Sequence, residues 1–166
     1  MPAPPRSRRL PNLDNHLCFG CSPINPKGLG MEFYAMDDAI ASWLVVDEQY
    51  CGWQQVVHGG IIAAMLDEIM GRGALYLLKH LVMTKSIALD FFKPVATGKE
   101  IRVEGRVRDV ADERNAVMEG VVFNHQGEPA ARATGHFKLF SVETLRRRGG
   151  MDDSNLLAIE NLIQNL

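Results

Sequence analysis

The sequence predicts an α+β fold, an antiparallel curled sheet of about six strands wrapped around one long central helix, and three observations lead there. The run from Gly59 to Lys79 or His80 passes through Ile61, Ile62, Ala63, Ala64, Met65 and Leu66 without a polar face, which marks a helix surrounded by protein. Two segments before it and four after it alternate apolar with other residues, as half-buried strands do. The turns between the last four are too short for parallel crossovers, so those strands form an antiparallel meander. One apolar helix must be covered on most sides, and a single sheet covers it only by curling. Such a sheet keeps open edges, so pairing with a second copy of the chain is expected.

The 166 residues suit one domain with one core. Residues 1–17 are rich in Pro, Arg and Asn and read as an extended or poorly ordered arm. The domain occupies 18–141. Its first strand, about 29–36, alternates Leu29, Met31, Phe33 and Ala35; Asp37 and Asp38 turn the chain, and 39–46 completes a hairpin. Residues 47–57 form a loop whose Tyr50 and Trp53 suit packing over a neighbouring surface. In the helix, Gly71 and Gly73 each lower helix propensity by about 1 kcal/mol relative to Ala, so another backbone or a ligand is expected to come close there. Arg72, Lys79 and His80 should emerge toward solvent. The later strands are 82–95, whose Pro94 demands an edge or a bend, then 99–110, 115–124 and 128–140. The tail, 142–166, opens a helix at Asp152-Asp153-Ser154. Leu156, Ile159, Leu162, Ile163 and Leu166 keep helical spacing on an amphipathic face that docks on the domain or on another subunit.

A formal net charge of −2 gives no basis for a nucleic acid or an anionic membrane as partner. No apolar run reaches the ~18 residues of a membrane span. The start, MPAPPRSRRLP, lacks the apolar core of a secretory signal, so a cytoplasmic protein is expected. Three cysteines without an export signal speak against a disulfide framework. Cys18 and Cys21 form a Cys-x-x-Cys, but no second pair or nearby His-x-x-x-His completes a zinc set. The turn-rich Ser22-Pro23-Ile24-Asn25-Pro26 follows where a redox motif would open a helix. The pair reads as a structural loop element, and no metal and no cofactor are expected. His16, His80, His125 and His136 show no ligand spacing and read as surface or packing residues. Arg146-Arg147-Arg148 reads as a solvated run, with the phosphates of a nucleotide-bearing ligand as the alternative.

His58-Gly59-Gly60 stands directly before the apolar helix, and Asp67 and Glu68 lie inside it. Isolated carboxylates away from water cost several kcal/mol or more, so such acids are exposed, paired or functional. A helix start offers unpaired backbone N–H groups, and glycines let a carbonyl oxygen approach them, so Gly59 and Gly60 suit an oxyanion site. An acid in apolar surroundings can act as a general base on water or attack directly as a nucleophile. Asp67 is favoured and Glu68 is the runner-up, the two pointing about 100° apart. The acid not used pairs with a basic group such as Arg72, four residues beyond Glu68. The nine residues from His58 to Asp67 amount to a rise of ~13.5 Å and a rotation of about 180°. Asp67 therefore cannot serve the oxyanion end of its own helix, whereas two antiparallel helices about a two-fold axis bring one chain's Asp67 to the other's Gly59. His58 reads as a turn and helix-start residue rather than a proton carrier.

These residues, in this order of elements, resemble the hotdog-fold acyl-CoA thioesterases, in the branch of the phenylacetic-acid-degradation thioesterases and their animal relatives. The resemblance rests on His58-Gly59-Gly60 with Asp67 nine residues after the His, on Thr84 in the strand after the helix, and on Phe91-Phe92-Lys93-Pro94 at its end. Cys18-Phe19-Gly20-Cys21 with Asn25-Pro26-Lys27-Gly28-Leu29 is similar to the opening of a bacterial subset. It covers about 16–141. It implies a hotdog fold, hydrolysis of an acyl-CoA to free acid and CoA, and a site shared between the subunits of a homodimer, which can pair into a homotetramer. It also implies an oxyanion donor at the Gly59 N–H and a Thr84 hydroxyl that orients the acid or the attacking water. Many relatives carry a polar residue six positions before the His, where this chain has Gly52, so Gln54 or Gln55 would have to compensate. Trp53, Met70 and Phe91, with Met65 and Phe92, are candidate walls of the acyl site and equally candidates for the core. Two rival readings keep the fold: a non-catalytic acyl-CoA binder or sensor, and an acyl-thioester hydratase or dehydratase with His58 as base.

Overall fold

Helix and sheet meet as the residue patterns require in the computed structural model, which describes residues 8–149 and 152–165. In chain order the elements are β1 (Tyr34–Ala35), β2 (Ala39–Val45), β3 (Cys51–Trp53), β4 (Val56–Val57), α1 (Gly59–Leu78), β5 (Leu81–Phe91), β6 (Glu100–Asp112), β7 (Asn115–Phe123), β8 (Pro129–Phe140), α2 (Val142–Arg148) and α3 (Asp153–Gln164). Six strands form one antiparallel sheet in the order β1-β2-β6-β7-β8-β5, curled around α1. β3 and β4 make a separate hairpin that leads into the helix.

The core lies between α1 and the concave face of the sheet. Met65, Leu66, Ile69 and Met70 are completely buried, and they meet alternate residues of the central strands: Ile101 and Val103 of β6, Ala116 and Met118 of β7, Ala133 and Phe137 of β8. Gly73 is the tight point on the helix, since a Cβ there would lie 3.1 Å from the Met118 methyl, whereas at Gly71 the nearest atom is an ordinary 3.7 Å away. The expected approach of a backbone is not found at Gly71, and at Gly73 the close atom is a side chain, with the Gly105 backbone at an ordinary 3.8 Å. No helix among the described residues is long and apolar enough to cross a membrane.

Besides the β3–β4 hairpin, which replaces part of the loop expected over 47–57, four features differ from expectation. The first strand shrinks to two residues because 29–33 find their backbone partners elsewhere: Leu29 N–H donates to Phe19 O (2.7 Å), Met31 N–H to Gly20 O (2.9 Å), and Leu10 N–H to Phe33 O (2.8 Å). From Arg8 onward the arm is docked, with Leu10 buried and the Tyr76 hydroxyl donating to Pro11 O at 2.6 Å; residues 1–7 lie outside the described ones. Arg72 turns inward, its side chain only 14% exposed. The tail contains a short extra helix, α2, capped by Ser141, whose Oγ accepts the Thr144 N–H at 3.2 Å. α3 is where the spacing placed it, with Asp152 accepting the Asn155 N–H at 2.9 Å and Leu156, Ile159 and Leu162 buried; Leu166 is outside the described residues.

Candidate active site

The start of α1 disposes of its orphan N–H groups one by one. His58, extended at φ −60° and ψ 137°, caps the helix, and its Nδ1 accepts the Gly60 N–H at 2.9 Å. The N–H groups of Ile61 and Ile62 donate to His58 O at 2.9 and 3.2 Å. Of the first-turn donors, the Gly59 N–H is left without an acceptor among the described residues. It opens beside a groove of about 400 Å³ lined by Val56, Val57, Ile62, Phe91, Phe92 and Pro94. Behind the cap sits Gly52, where a Cβ would lie 2.9 Å from His58 Cδ2. The imidazole therefore fills the space a polar side chain at 52 would need. Gln54 and Gln55 point to solvent in the β3–β4 turn and make no hydrogen bond from their side chains among those described.

Further along α1, half-buried Asp67 faces a second groove of about 260 Å³ together with Thr84, Gly71 and Leu75, flanked by Leu13 of the arm and Ile159 and Leu162 of α3. The Thr84 hydroxyl donates to Asp67 Oδ1 at 2.7 Å. Strict alternation from Ile87 and Leu89, which pack on the core, would put Thr84 on the far side of β5. A register shift between Thr84 and Ser86 inserts Lys85 and resets the parity, so that Val82 and Thr84 face the helix. Counted from Gly59 itself, Asp67 is eight residues on, a rise of about 12 Å with a net rotation of about 80°. Distance along the axis, rather than opposite facing, is what separates the two groups within one chain.

Glu68 and Arg72 border the same groove, but the Glu68 carboxylate is already engaged. It pairs with Arg72 Nε at 3.0 Å and accepts the Cys18 thiol at 3.3 Å, while Arg72 Nη2 donates to Cys21 Sγ at 2.6 Å. A hydrogen bond from Cys21, with the backbone N–H groups of Cys21 and Gly20, holds the Cys18 thiol down at about 7; the same side-chain bond and burial push Cys21 well above the usual thiol range. In reduced protein treated with a chelator, alkylation at Cys18 should rise as pH passes through 7, because its thiolate forms above that value, with Cys21 inert. Equal labelling of the two across pH 6–8 would contradict this.

The remaining sequence candidates separate cleanly. Phe91 and Phe92 line the groove at Gly59. Trp53 is 80% exposed on β3, away from both grooves, and Met65 and Met70 are fully buried in the core. A depression of about 810 Å³ lies at the other end of α1 beside Leu78 and His80 and gathers Arg114, Lys138, Arg147 and Arg148 together with Asp112 and Glu113. Arg146 is paired instead with Glu160 of α3 at 3.0 Å.

Residues 54–131, from the turn before α1 into β8, match the model of the thioesterase superfamily. The stretch is similar to that superfamily over just under half of the chain. A solved structure described as a thioesterase superfamily protein superposes with a TM-score of 0.64 at 21% identity over 70% of this chain; the match spans only 60% of that protein's own length. The PaaI protein of E. coli, from the phenylacetic acid degradation operon, gives 0.60 at 19% identity, covering 68% of this chain and 81% of that one. A hypothetical thioesterase protein from Streptococcus pneumoniae TIGR4, solved with coenzyme A, gives 0.61 at 18%, covering 67% and 86%. No curated protein matches the chain in sequence. The shared architecture is the hotdog fold, and within the superfamily match lie Gly59, Asp67 and Thr84 together.

Proposed function

We propose that this protein hydrolyses acyl-CoA thioesters at a site built from two copies of the chain. The observation that carries the reading is the Thr84–Asp67 hydrogen bond of 2.7 Å, formed on a helix face that the chain's own sheet leaves half-open. An acid fixed in one rotamer and turned toward a groove is what general-base or nucleophilic attack needs. The unpaired Gly59 N–H offers the complementary part, a donor aimed at developing negative charge on the thioester oxygen.

Asp67 activates a water, or attacks the carbonyl carbon itself and is then released by water. The oxygen, now negative, is held by the partner copy's helix start. The C–S bond breaks, and the proton taken from water accompanies the CoA thiolate. The face of α1 around Ile61, Ala64, Asp67 and Gly71 is half-buried, and β5 has no strand partner on its outer edge among the described residues. Both suit a second copy packed antiparallel, which would carry each Asp67 the ~12 Å to the other chain's Gly59. Dimers pairing into tetramers remain compatible with this arrangement.

Free-thiol detection on a panel of acyl-CoA esters tests the activity, and Asp67→Asn should lower kcat at least about 100-fold. Undiminished turnover in that variant removes Asp67 from the role, and saturable binding without thiol release by the wild type favours a non-catalytic binder. The hydratase reading needs His58 as a base, yet His58 Nδ1 is committed to the Gly60 N–H. Thr84→Val should lower kcat with KM little changed, and Thr84→Ser should restore most of it. We further assign the CoA phosphates to the depression at Arg114, Lys138, Arg147 and Arg148, whose four cations outnumber its two acids, Asp112 and Glu113. Arg147→Ala with Arg148→Ala should raise KM for CoA esters and leave that for the corresponding N-acetylcysteamine esters unchanged; equal effects on both would remove this assignment.

A further inference from the structure

Outside the candidate catalytic groups, the densest collection of metal-binding side chains in the described residues is where the arm crosses α1. A ring nitrogen of His16 and the sulfurs of Cys18 and Cys21 lie within 4.8 Å of one another. Glu68 Oε2 is 3.3 Å from Cys18 Sγ. We propose that His16, Cys18 and Cys21 hold a zinc ion, with Glu68 closing in from beside Cys18 as the fourth ligand, and that the ion fastens the N-terminal arm to α1, one residue from Asp67.

The donor set fits that ion. Two thiolates, an imidazole and a carboxylate make a tetrahedral site with Zn–S near 2.3 Å, and two sulfurs on one such ion stand about 3.8 Å apart, inside the spread already present. The loop is shaped to present them. Ser22 N–H donates to Cys18 O at 3.1 Å, closing the turn, and the N–H groups of Gly20 and Cys21 point at the Cys18 sulfur. Glu68 lies directly on this turn: a Cβ at Gly20 would sit 2.5 Å from Glu68 Cγ, so only glycine admits the carboxylate. The imidazole is held in the cluster by Cys18 N–H donating to Nδ1 at 3.2 Å, and its Nε2 is buried with no hydrogen-bond partner among the described residues. This hydrogen bond belongs to the metal-free state: coordination at Nδ1 takes the lone pair that accepts it, and coordination at Nε2 puts the proton on Nδ1, so metal binding releases the Cys18 N–H in either case.

Charge balances as well. Two thiolates and Glu68 carry −3, Arg72 supplies +1, and a divalent ion closes the sum to zero. Arg72 then donates to Cys21 Sγ and Glu68 from outside the coordination shell, the usual support for metal-bound thiolate and carboxylate. Binding replaces two thiol protons, which go to solvent. A Cys18–Cys21 disulfide would join only two of the four groups and give His16 and Glu68 no part.

The test is a titration of the full-length, reduced, chelator-treated protein with Co²⁺ and then Zn²⁺. One Co²⁺ per chain is expected, with thiolate-to-cobalt charge-transfer bands and the visible bands of four-coordinate cobalt; Co²⁺ binding releases about two protons below pH 7 and fewer above it, and Zn²⁺ then displaces Co²⁺ with no further proton release. Cys18→Ala and Cys21→Ala should each weaken the charge-transfer band and lower affinity. His16→Ala and Glu68→Gln should keep that band and lower affinity at least about 10-fold. Cys51→Ser, at an exposed cysteine remote from the cluster, should change nothing. A folded wild type that gives no thiolate–cobalt band, or a band that survives unchanged in Cys18→Ala, overturns the proposal, and neither result depends on hydrolytic activity.

Discussion

Refolding Gly59→Pro together with an equal amount of Asp67→Asn should return about a quarter of wild-type thioesterase activity, although each variant alone is nearly inactive. The figure follows from symmetry: random pairing makes half the dimers mixed, and each mixed dimer has one site with both a native Gly59 and a native Asp67. Proline at 59 removes the N–H and little else. It occupies the first helical position, where proline is well tolerated, and His58 before it is already extended at ψ 137°. The Cβ position meets only Phe91, whose Cζ lies 3.3 Å away and which is 54% exposed. Loss of one oxyanion donor lowers kcat by about 100- to 1000-fold, while circular dichroism and melting should stay near wild type. An active Gly59→Pro moves the donor elsewhere. Two inactive variants that fail to complement when mixed place both halves of the site in one chain.

What the sequence made legible was whatever periodicity and spacing encode. The apolar run of α1 and the alternation in β6, β7 and β8 record burial directly, so the six-stranded sheet and its helix could be read from them. The two-strand parity of β5 misled in one respect: Thr84 is out of phase with Ile87 and Leu89, and only the bulge at Lys85 turns it to Asp67. No composition signal announces a single inserted residue. The four-residue spacing disclosed the pair of Arg72 with Glu68, but Arg72 still looked like a solvent residue because nothing in a linear helix pattern shows Cys18 and Cys21 closing over it. His16 shows no ligand spacing in the sequence, and its approach to Cys18 and Cys21 comes from the fold of the loop between them, which spacing does not display. Backbone-only docking hid the order in the arm, where one buried Leu10 and a few main-chain hydrogen bonds replace any repeating pattern.

Met70→Ala should destabilise the fold by about 3–5 kcal/mol and leave the acyl-chain preference unchanged, which decides between the two roles its sequence position allows. Its side chain is completely buried, and it lies over glycines on the facing strands: a Cβ at Gly120 would be 3.2 Å from Met70 Cγ, and one at Gly135 would be 3.0 Å from Met70 Cε. Truncating methionine there removes the atoms that fill the space above two residues with no side chain of their own. Neither glycine can move a group into the gap, so the void persists and its cost adds to the lost transfer energy, toward the upper part of the ~2–5 kcal/mol range for such substitutions. Against a total of about 5–15 kcal/mol, that is a large fraction, visible as a fall in the urea midpoint with the slope retained. A wall residue of the acyl groove would behave in the opposite way, with stability close to wild type and kcat/KM shifted toward bulkier acyl groups. The same pair of measurements on Phe91→Ala should give that second pattern, because Phe91 lines the groove at Gly59 and is half-exposed, with little buried area to lose.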